Sequence, residues 1–442
     1  MIQKRLLTIS IALLLCLPWA GSAQVAHKAI TIAPGETTTI EAEDYDDGGR
    51  GTAYQARQNN YICPTGDKFP ILAWYSLVWP YLTKEKYEEM AECGFNLAFS
   101  HHWDASTIKI LLDACRGTGV KQVISGDLAE QFKDDEMVAA WYLKDEPRYT
   151  EYPELRAYKD RVRAIDNTRQ IYMNLNPTYV PVEYLSGKTY SQYVQQYADT
   201  IGLGIISYDH YPIRESKGNV TLRSDYFSNL RQVSDICRAT NQPMWAFCLT
   251  ISHYSYPVPE KYQIRFQVFS DLAYGAQCIQ YFTYFVPGGG TGIWEGSVAP
   301  LNLDGTRSSV WSLVQDMNKE IQKLAPVFLG AKVVNVGHIG SSRPAGTAEF
   351  KKRPACFKSI NASGPGFLVS HLKNGDNEYL MIVNHSIASK QAISIARDET
   401  LPYKVRRVLS TGELSDNVAR SYTVNVGDYL LFQWNVNENK NN

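Results

Sequence analysis

Two adjacent carboxylates follow an aromatic and aliphatic run in the stretch WYLKDEP, residues 141–147 of this 442-residue chain. Asp145 and Glu146 repel each other when both are charged, so the pair requires either a cationic partner or a chemical function. Further acids occur in SYDHYP, which contains Asp209, and in GIWEGS, which contains Glu295. Carboxyl groups held at different pKa values can divide the roles of proton donor and base or nucleophile between them. These acids are therefore the candidates for catalysis.

Polar and aromatic side chains also fall at the ends of nearly all the predicted strands and in the loops that follow. The set comprises Trp74, Tyr75, His101, His102, Trp103, Asp127, Asn174, Asn176, Tyr208, His210, Tyr211, Thr250, His253, Tyr281, Tyr284 and Trp294. A barrel enzyme has its site at the C-terminal ends of its strands, where such groups converge. Carboxylates transfer protons and flat rings stack on pyranose faces, so this mixture predicts a carbohydrate site.

Strands and helices that alternate along the chain must position these residues. Short apolar or aromatic strands are predicted at 71–76, 96–101, 121–125, 138–143, 170–174, 205–208, 244–249 and 278–284. Helical patterns are predicted between them at 84–93, 106–116, 154–165, 226–239 and 261–274, with a last helix at 308–324. Strand–helix units at roughly 30-residue spacing predict an α/β fold, a (β/α)8 TIM barrel at residues 67–326. An open doubly wound sheet is the alternative, but no GxGxxG or Walker loop follows any strand.

The chain changes character after Pro326. Short strands separated by Gly, Asn and Asp turns are predicted at 333–336, 367–372, 379–384, 392–395, 405–409 and 429–434. They predict an all-β sandwich at residues 327–437, packed on the barrel. Such a module can bind sugar or brace the barrel, and bracing is the favoured interpretation.

The N-terminus has the pattern of a secretory signal. Lys4 and Arg5 precede an apolar run at 6–17, and small residues at 21–23 offer a cleavage site before Gln24. A signal peptide at 1–23 predicts export to the periplasm, the cell surface or beyond. Cys16 lies inside the apolar run without the small residues that usually precede a lipoprotein cysteine.

Residues 24–66 are expected to form an extension that packs on the β-sandwich. Within it, IEAEDYDDGGRGTAYQ at 40–55 resembles the opening of family 6 carbohydrate-binding modules. The barrel begins where the rest of such a module would stand, so the resemblance implies no binding site here.

Composition and charge indicate which kinds of binding partner to expect. The formal net charge of -1 argues against nucleic acid or an anionic membrane as the main partner. After the signal segment, the sequence contains no apolar run that resembles a membrane span. The 29 Tyr and 9 Trp residues suit both a large core and sugar-stacking surfaces. A monomer without cofactor, acting on carbohydrate, is expected.

Cysteines and histidines do not indicate a metal centre. Seven cysteines remain after Cys16, an odd number without CxxC spacing, which is not a disulfide framework. His101 and His102 are adjacent but have no third ligand at short spacing.

The LKDEP ending of the fourth strand resembles the Asn-Glu-Pro ending of strand four in clan A glycoside hydrolases. The opening CPTGDKFPILAWYS is similar to the first strand of exported bacterial barrel hydrolases, and the order of signal, barrel and sandwich is also similar. By this resemblance Glu146 is the general acid/base. Asp145 takes the place of the Asn that contacts the sugar 2-hydroxyl.

The seventh predicted strand departs from the clan A pattern. That clan places a nucleophilic Glu there, but PMWAFCLTISHYS contains no acid. Asp209 or Glu295 could supply the second carboxylate, or Asp209 or Asp127 could activate a water in an inverting mechanism. Alternatively, the barrel binds glycans without hydrolysing them.

Structural roles compete with each functional assignment. Asp145 and Glu146 could join an ion network with Lys144, Arg148 or Arg161. The other candidates also have structural alternatives: Asp209 and His210 could cap a loop or bond each other, Glu295 could be a solvated loop acid, and Trp74 and Trp103 could be core residues.

Along a strand, Asp145 faces away from Glu146 unless a bulge intervenes, and only one of Trp141 and Tyr142 faces the barrel interior. Glu146 is therefore expected to be the proton donor and Asp145 to tune or position it. The favoured function is glycoside hydrolysis on a poly- or oligosaccharide.

Overall fold

The computed structural model describes residues 61–438 and contains a closed barrel of parallel strands. Its strands are β1 (Ile71–Trp74), β2 (Leu97–Phe99), β3 (Lys121–Ser125), β4 (Val138–Asp145), β5 (Gln170–Leu175), β6 (Ile206–Tyr208), β9 (Met244–Leu249) and β10 (Ala276–Phe282). The hairpin β7 (Ile213–Ser216) and β8 (Asn219–Leu222) interrupts the series after β6, and β10 pairs with β1 to close the barrel. The predicted fold class is confirmed, and the open doubly wound sheet is excluded.

Helices follow the strands and form the outer layer. They are α1 (Lys84–Glu92), α2 (Ala105–Cys115), α3 (Ala129–Phe132), α4 (Tyr152–Ile165), α5 (Tyr190–Thr200), α6 (Tyr226–Thr240), α7 (Lys261–Ala273), α8 (Ser309–Lys323) and α9 (Ala325–Phe328). Thr83, Asp104 and Ser308 start α1, α2 and α8 by accepting a hydrogen bond from a first-turn N–H. No helix in the part of the chain that the structure describes is long and apolar enough to cross a membrane.

A β-sandwich follows the barrel. Its strands are β11 (Lys332–Ile339), β12 (Phe357–Ser363), β13 (Phe367–Asn374), β14 (Asn377–Asn384), β15 (Gln391–Arg397), β16 (Arg406–Val408), β17 (Leu414–Ser415), β18 (Ser421–Val424) and β19 (Tyr429–Asn435). The larger sheet has the order β11-β13-β14-β19-β16-β17, and β12-β15-β18 form the smaller one. Leu380 and Ile382 of β14 face the smaller sheet, whereas Met381 and Val383 join the barrel core. The larger sheet is therefore buried on both faces.

Polar contacts reinforce the junction between barrel and sandwich. Arg265 of α7 forms ion pairs with Glu320 of α8 and, at 2.7 Å, with Asp428 beside β19. The Tyr429 hydroxyl donates to Glu320 at 3.0 Å. These contacts fit the bracing role expected for the sandwich.

Most of the N-terminal predictions lie outside the described residues. The signal peptide at 1–23 and the stretch at 40–55 are among them, as is the extension up to residue 60. Where the description begins, the Ile62 N–H donates to Gln170 Oε1 of the barrel at 3.0 Å.

Candidate active site

A β-bulge shapes the end of β4. Tyr142 pairs with Tyr172 of β5, but the next partners are Asp145 and Asn174, so β4 contains one residue more than β5 between these pairs. Simple alternation would place Tyr142 and Asp145 on opposite faces. Instead Tyr142 packs on Tyr172 inside the barrel, and Asp145 Oδ1 accepts a hydrogen bond from Asn174 Nδ2 at 3.2 Å. The bulge therefore brings Asp145 to the same site as Glu146.

Glu146 follows β4 in a left-handed backbone conformation, with φ 45°. Its N–H donates to the Asn174 carbonyl at 2.9 Å, which holds the conformation. Tyr75 and His101, which follow β1 and β2, have φ 56° and 53°. Non-glycine residues adopt this region uncommonly, and such strain concentrates at functional sites. The barrel mouth thus holds three strained backbone positions, after β1, β2 and β4.

Asn174 connects the acids across the barrel mouth. Its Nδ2 donates to Asp209 Oδ1 at 2.8 Å as well as to Asp145. Glu146 and Asp209 are within hydrogen-bonding reach of each other. The carboxyl groups of Asp145, Glu146 and Asp209 therefore form one cluster, called the carboxyl cluster below.

The pKa values of the carboxyl cluster are all raised. Burial raises the pKa of Asp209, which is 6% exposed, well above its usual value, and the charges of Glu146 and Asp145 add to this. Burial, followed by the charge of Glu146, raises the pKa of Asp145 to about 7. Glu146 is exposed at the mouth, yet the surrounding cleft excludes enough water to raise its pKa, and the hydrogen bond with Asp209 opposes that rise. Carboxyl groups tuned in this way can hold a proton near neutral pH.

Cations do not neutralise the cluster. Lys144 lies 3.3 Å from Glu151, Arg148 stacks over the Tyr184 ring and Arg161 stacks over the Tyr158 ring. Within residues 61–438, neither Asp145 nor Glu146 forms an ion pair, and the same holds for Asp209. Among the described residues, these acids therefore take no part in a structural network of ion pairs.

Aromatic rings line one side of the mouth. His101 packs on Phe99 and Trp74, with ring centroids 4.0 and 4.3 Å away. Burial lowers the pKa of His101 to about 4, so its imidazole is neutral near pH 7. Trp103, which is 52% exposed, packs against Tyr142 at 5.6 Å. Tyr75 lies beside His101, and its hydroxyl accepts a hydrogen bond from the Gly288 N–H of the loop after β10.

A second aromatic group lies along β9, β10 and the loops after β6 and β10. Tyr211 stacks on Phe282 at 5.7 Å, and Trp294 packs against Phe282 and His253 at 5.8 and 4.9 Å. The charge of Asp209 contributes to the raised pKa of Tyr211, so this ring also borders the carboxyl cluster. Acids between two aromatic groups are the arrangement that glycosidic chemistry requires.

One solved structure shares this architecture with a TM-score above 0.5. The β-galactosidase of Bacillus circulans sp. alkalophilus matches 83% of this chain and 99% of its own with a TM-score of 0.52 at 10% identity. The chain therefore shares the fold of that solved structure. An α-amylase of Geobacillus thermoleovorans, solved with acarbose, matches 86% of this chain and 100% of its own at TM-score 0.49 and 8% identity.

The other comparisons gave a weaker structural match or no match. A β-galactosidase from Marinomonas ef1 matches 58% of this chain at TM-score 0.45 and 11% identity, and the match spans 60% of that protein. No protein-family model matches the chain. No curated protein matches it by sequence.

Several predicted site residues lie away from the carboxyl cluster. Tyr208 faces Tyr226 and Asp271 in the helical layer, and the Tyr284 hydroxyl accepts a hydrogen bond from Trp311 Nε1 of α8 at 3.3 Å. His210 Nε2 lies 3.4 Å from Asp225 Oδ1 at the start of α6. These three side chains point outward from the strand ends.

The remaining predicted residues occupy the rim or support it. Asn176 donates to the Pro147 carbonyl at 3.0 Å and so holds the segment that follows Glu146. His102 and Asp127 lie at the ends of β2 and β3. Glu295 is exposed in the loop after β10 and forms no side-chain hydrogen bond or ion pair within the described ranges.

Some residues at the site were missed in the sequence. Tyr142 and Phe282 supply aromatic surface, and Ser207 and Gln280 lie beneath Asn174 in the barrel interior. Tyr142 was one of two alternatives for the interior position on β4, so its side could not be decided without the strand register. Among residues 61–438 there is no group of three or more His, Cys, Asp or Glu side chains that could hold a metal.

Proposed function

We propose that this protein is an exported glycoside hydrolase that cleaves O-glycosidic bonds in a poly- or oligosaccharide. The observation that carries the proposal is the contact between Glu146 and Asp209 at the barrel mouth, where no cation neutralises them. Glu146 is exposed and is the proton donor, and the buried Asp209 is the second carboxylate. Asp145 is the supporting acid beside Glu146, and burial together with the charge of Glu146 raises the pKa of Asp145.

The direct interaction between the two carboxyl groups supports a retaining mechanism. Retaining enzymes hold them about 5 Å apart, whereas inverting enzymes leave about 6.5–9.5 Å for a water. Glu146 protonates the leaving oxygen while Asp209 attacks the anomeric carbon, so the glycosidic C–O bond breaks and a glycosyl ester forms. Glu146, now a carboxylate, takes a proton from water, whose oxygen attacks the anomeric carbon and releases Asp209.

Unpaired polar atoms at the mouth support a polar ligand. Trp74 Nε1 and His101 Nε2 are buried and have no hydrogen-bond partner among the described residues. Buried polar atoms are usually paired, and sugar hydroxyls offer suitable acceptors and donors. Trp103 and Trp294 offer ring faces for stacking.

Glycan binding without turnover is the second candidate. The burial of Asp209 favours it, because a nucleophile must reach the anomeric carbon. In that case the carboxyl cluster would hydrogen-bond sugar hydroxyls and leave the glycosidic bond intact.

Activity on a panel of plant, algal and host glycans separates the two candidates. Glu146→Gln and Asp209→Asn should each lower turnover by roughly 10²-fold or more, because one removes the acid and the other the nucleophile. Glu295→Gln tests the other candidate for the second carboxylate, and Glu183→Gln, an exposed loop acid, is the matched control. Unchanged turnover in Glu146→Gln would remove Glu146 from the mechanism, whereas binding without hydrolysis by wild type would favour the binding protein.

Export is supported by the sequence pattern before Gln24. Mass spectrometry of the protein recovered outside the cytoplasm should give a chain that begins at or near Gln24. An intact Met1 on that protein would contradict the proposed cleavage.

A further inference from the structure

A line of hydrogen bonds runs beneath the carboxyl cluster through the barrel interior. Gln280 Nε2 of β10 donates to Ser207 Oγ of β6 at 2.8 Å, and Ser207 Oγ donates to Asn174 Oδ1 of β5 at 2.8 Å. Asn174 Nδ2 then donates to Asp209 and Asp145. Gln280 and Ser207 are fully buried. These two residues and Asn174 are called the relay below.

The acids fix the direction of the relay. When Asp209 and Asp145 are ionised they only accept hydrogen bonds, so Asn174 must then turn its NH2 group toward them. Its Oδ1 then needs a donor, which is the Ser207 hydroxyl. With that proton committed, Ser207 Oγ can only accept from Gln280, so Gln280 must present its NH2 group.

When Gln280 presents its NH2 group to Ser207, its own amide oxygen is left without a hydrogen-bond partner among the described residues. That oxygen, Oε1, is buried. An unpaired buried amide oxygen destabilises a fold, and native structures contain few of them. The hydrogen bond to Ser207 is therefore the contact through which the Gln280 amide acts on the relay.

We propose that Gln280 and Ser207 are positioning residues, which lock the Asn174 amide so that its NH2 group points at Asp209 and favours the negatively charged form of that acid. Asn174 stabilises the charged forms of Asp209 and Asp145, because both accept its N–H bonds. The catalytic meaning of the relay rests on the proposed function, but its effect on ionisation does not.

Other ionisable groups that face the carboxyl cluster do not replace the relay. They are Lys144 and the tyrosines Tyr142, Tyr172, Tyr179, Tyr190, Tyr193 and Tyr211. Burial raises the pKa of each tyrosine, so all are neutral near pH 7, and Lys144 is engaged with Glu151. Asn174 is thus the buried donor that the structure assigns to Asp209.

Ser207→Ala and Gln280→Met break the relay at different points, and Gln122→Met is the matched control. Gln122 is also a fully buried barrel glutamine, but its amide donates to Cys115 Sγ at 3.0 Å outside the relay. Aspartate labelled with 13C at the carboxyl carbon reports Asp209 directly by NMR, with its resonance assigned from its loss in Asp209→Asn. Both relay variants should raise the midpoint of the Asp209 titration by about one pH unit, and the control should leave it unchanged.

The pH profile of kcat/KM gives a second readout. Its acidic limb should move upward by about one pH unit in both relay variants, because Asp209 must be ionised to react. An Asp209 titration that moves no more in the relay variants than in Gln122→Met would overturn the proposal. If wild type hydrolyses no glycan while the Asp209 midpoint still shifts in both variants, the relay stands and the proposed function fails.

Discussion

Asp145 is held at the barrel mouth in an environment that opposes its charge. Burial and the neighbouring Glu146 raise its pKa to about 7 in the folded protein, whereas the unfolded value is about 4. The folded state therefore binds the proton more tightly than the unfolded chain. This contribution to stability is fully present below about pH 4 and is lost as the pH rises through about 7.

Asp145→Asn should consequently stabilise the fold at alkaline pH. We expect a gain of roughly 1–2 kcal/mol in the free energy of unfolding at about pH 8, shrinking toward pH 4, after allowance for solvent screening. Urea unfolding at several pH values measures it. Asp304→Asn is the contrasting control, because the Thr306 hydrogen bonds lower the pKa of that exposed acid and its substitution should give no gain. A gain for Asp145→Asn that is independent of pH would contradict the account.

Residues whose chemistry is visible in their type could be predicted from the sequence. Glu146, Asp209 and Asn174 were predicted because acids and amides stand out after apolar strands. Ser207 and Gln280 could not be predicted, since a buried Ser or Gln acquires a role only through the partners that the barrel register gives it.

The strands that contain continuous apolar runs were the part of the fold that could be predicted from the sequence. The barrel strands β1–β6, β9 and β10 all fall on predicted stretches. The sandwich strands β12 and β18 were missed because most of their residues are partly or fully exposed and give no apolar run. The hairpin β7–β8 was missed for the same reason.

The bulge in β4 could not be predicted from the sequence, for a different reason. It is defined by the pairing of β4 with β5, not by a residue pattern within β4. Its consequence is large, because one extra residue brings Asp145 to the same site as Glu146. The feature that positions the acids is thus defined by two paired strands and not by one strand alone.

The junction between barrel and sandwich contributes to the stability of the whole molecule. Helix α7 is buried on nearly all sides, because the barrel covers one face and the larger sheet covers another. Arg265 is 15% exposed in its side chain and pairs with both Glu320 and Asp428, so it joins two barrel helices to β19. Its loss would leave two acids without their cation.

Arg265→Met should therefore lower the free energy of unfolding by roughly 2–4 kcal/mol, as expected when one partner of a buried ion pair is removed. Chemical denaturation followed by tryptophan fluorescence measures the change. The matched control is Arg116→Met, since Arg116 also pairs with more than one acid, namely Asp113, Asp135 and Glu136, but is 42% exposed. The control should cost at most about 1 kcal/mol. Equal losses in both variants would show that the junction adds no special stability.

Covalent trapping tests the central claim, that Glu146 and Asp209 act together as acid/base and nucleophile. The experiment incubates Glu146→Gln with an activated glycoside that bears a good leaving group, because such a substrate needs no acid for the first step but still needs the base for the second. Mass spectrometry of the digested protein should then find one glycosyl unit esterified to the peptide that contains Asp209. An adduct on the peptide that contains Glu295, or release of the leaving group without any adduct on the protein, would contradict the account.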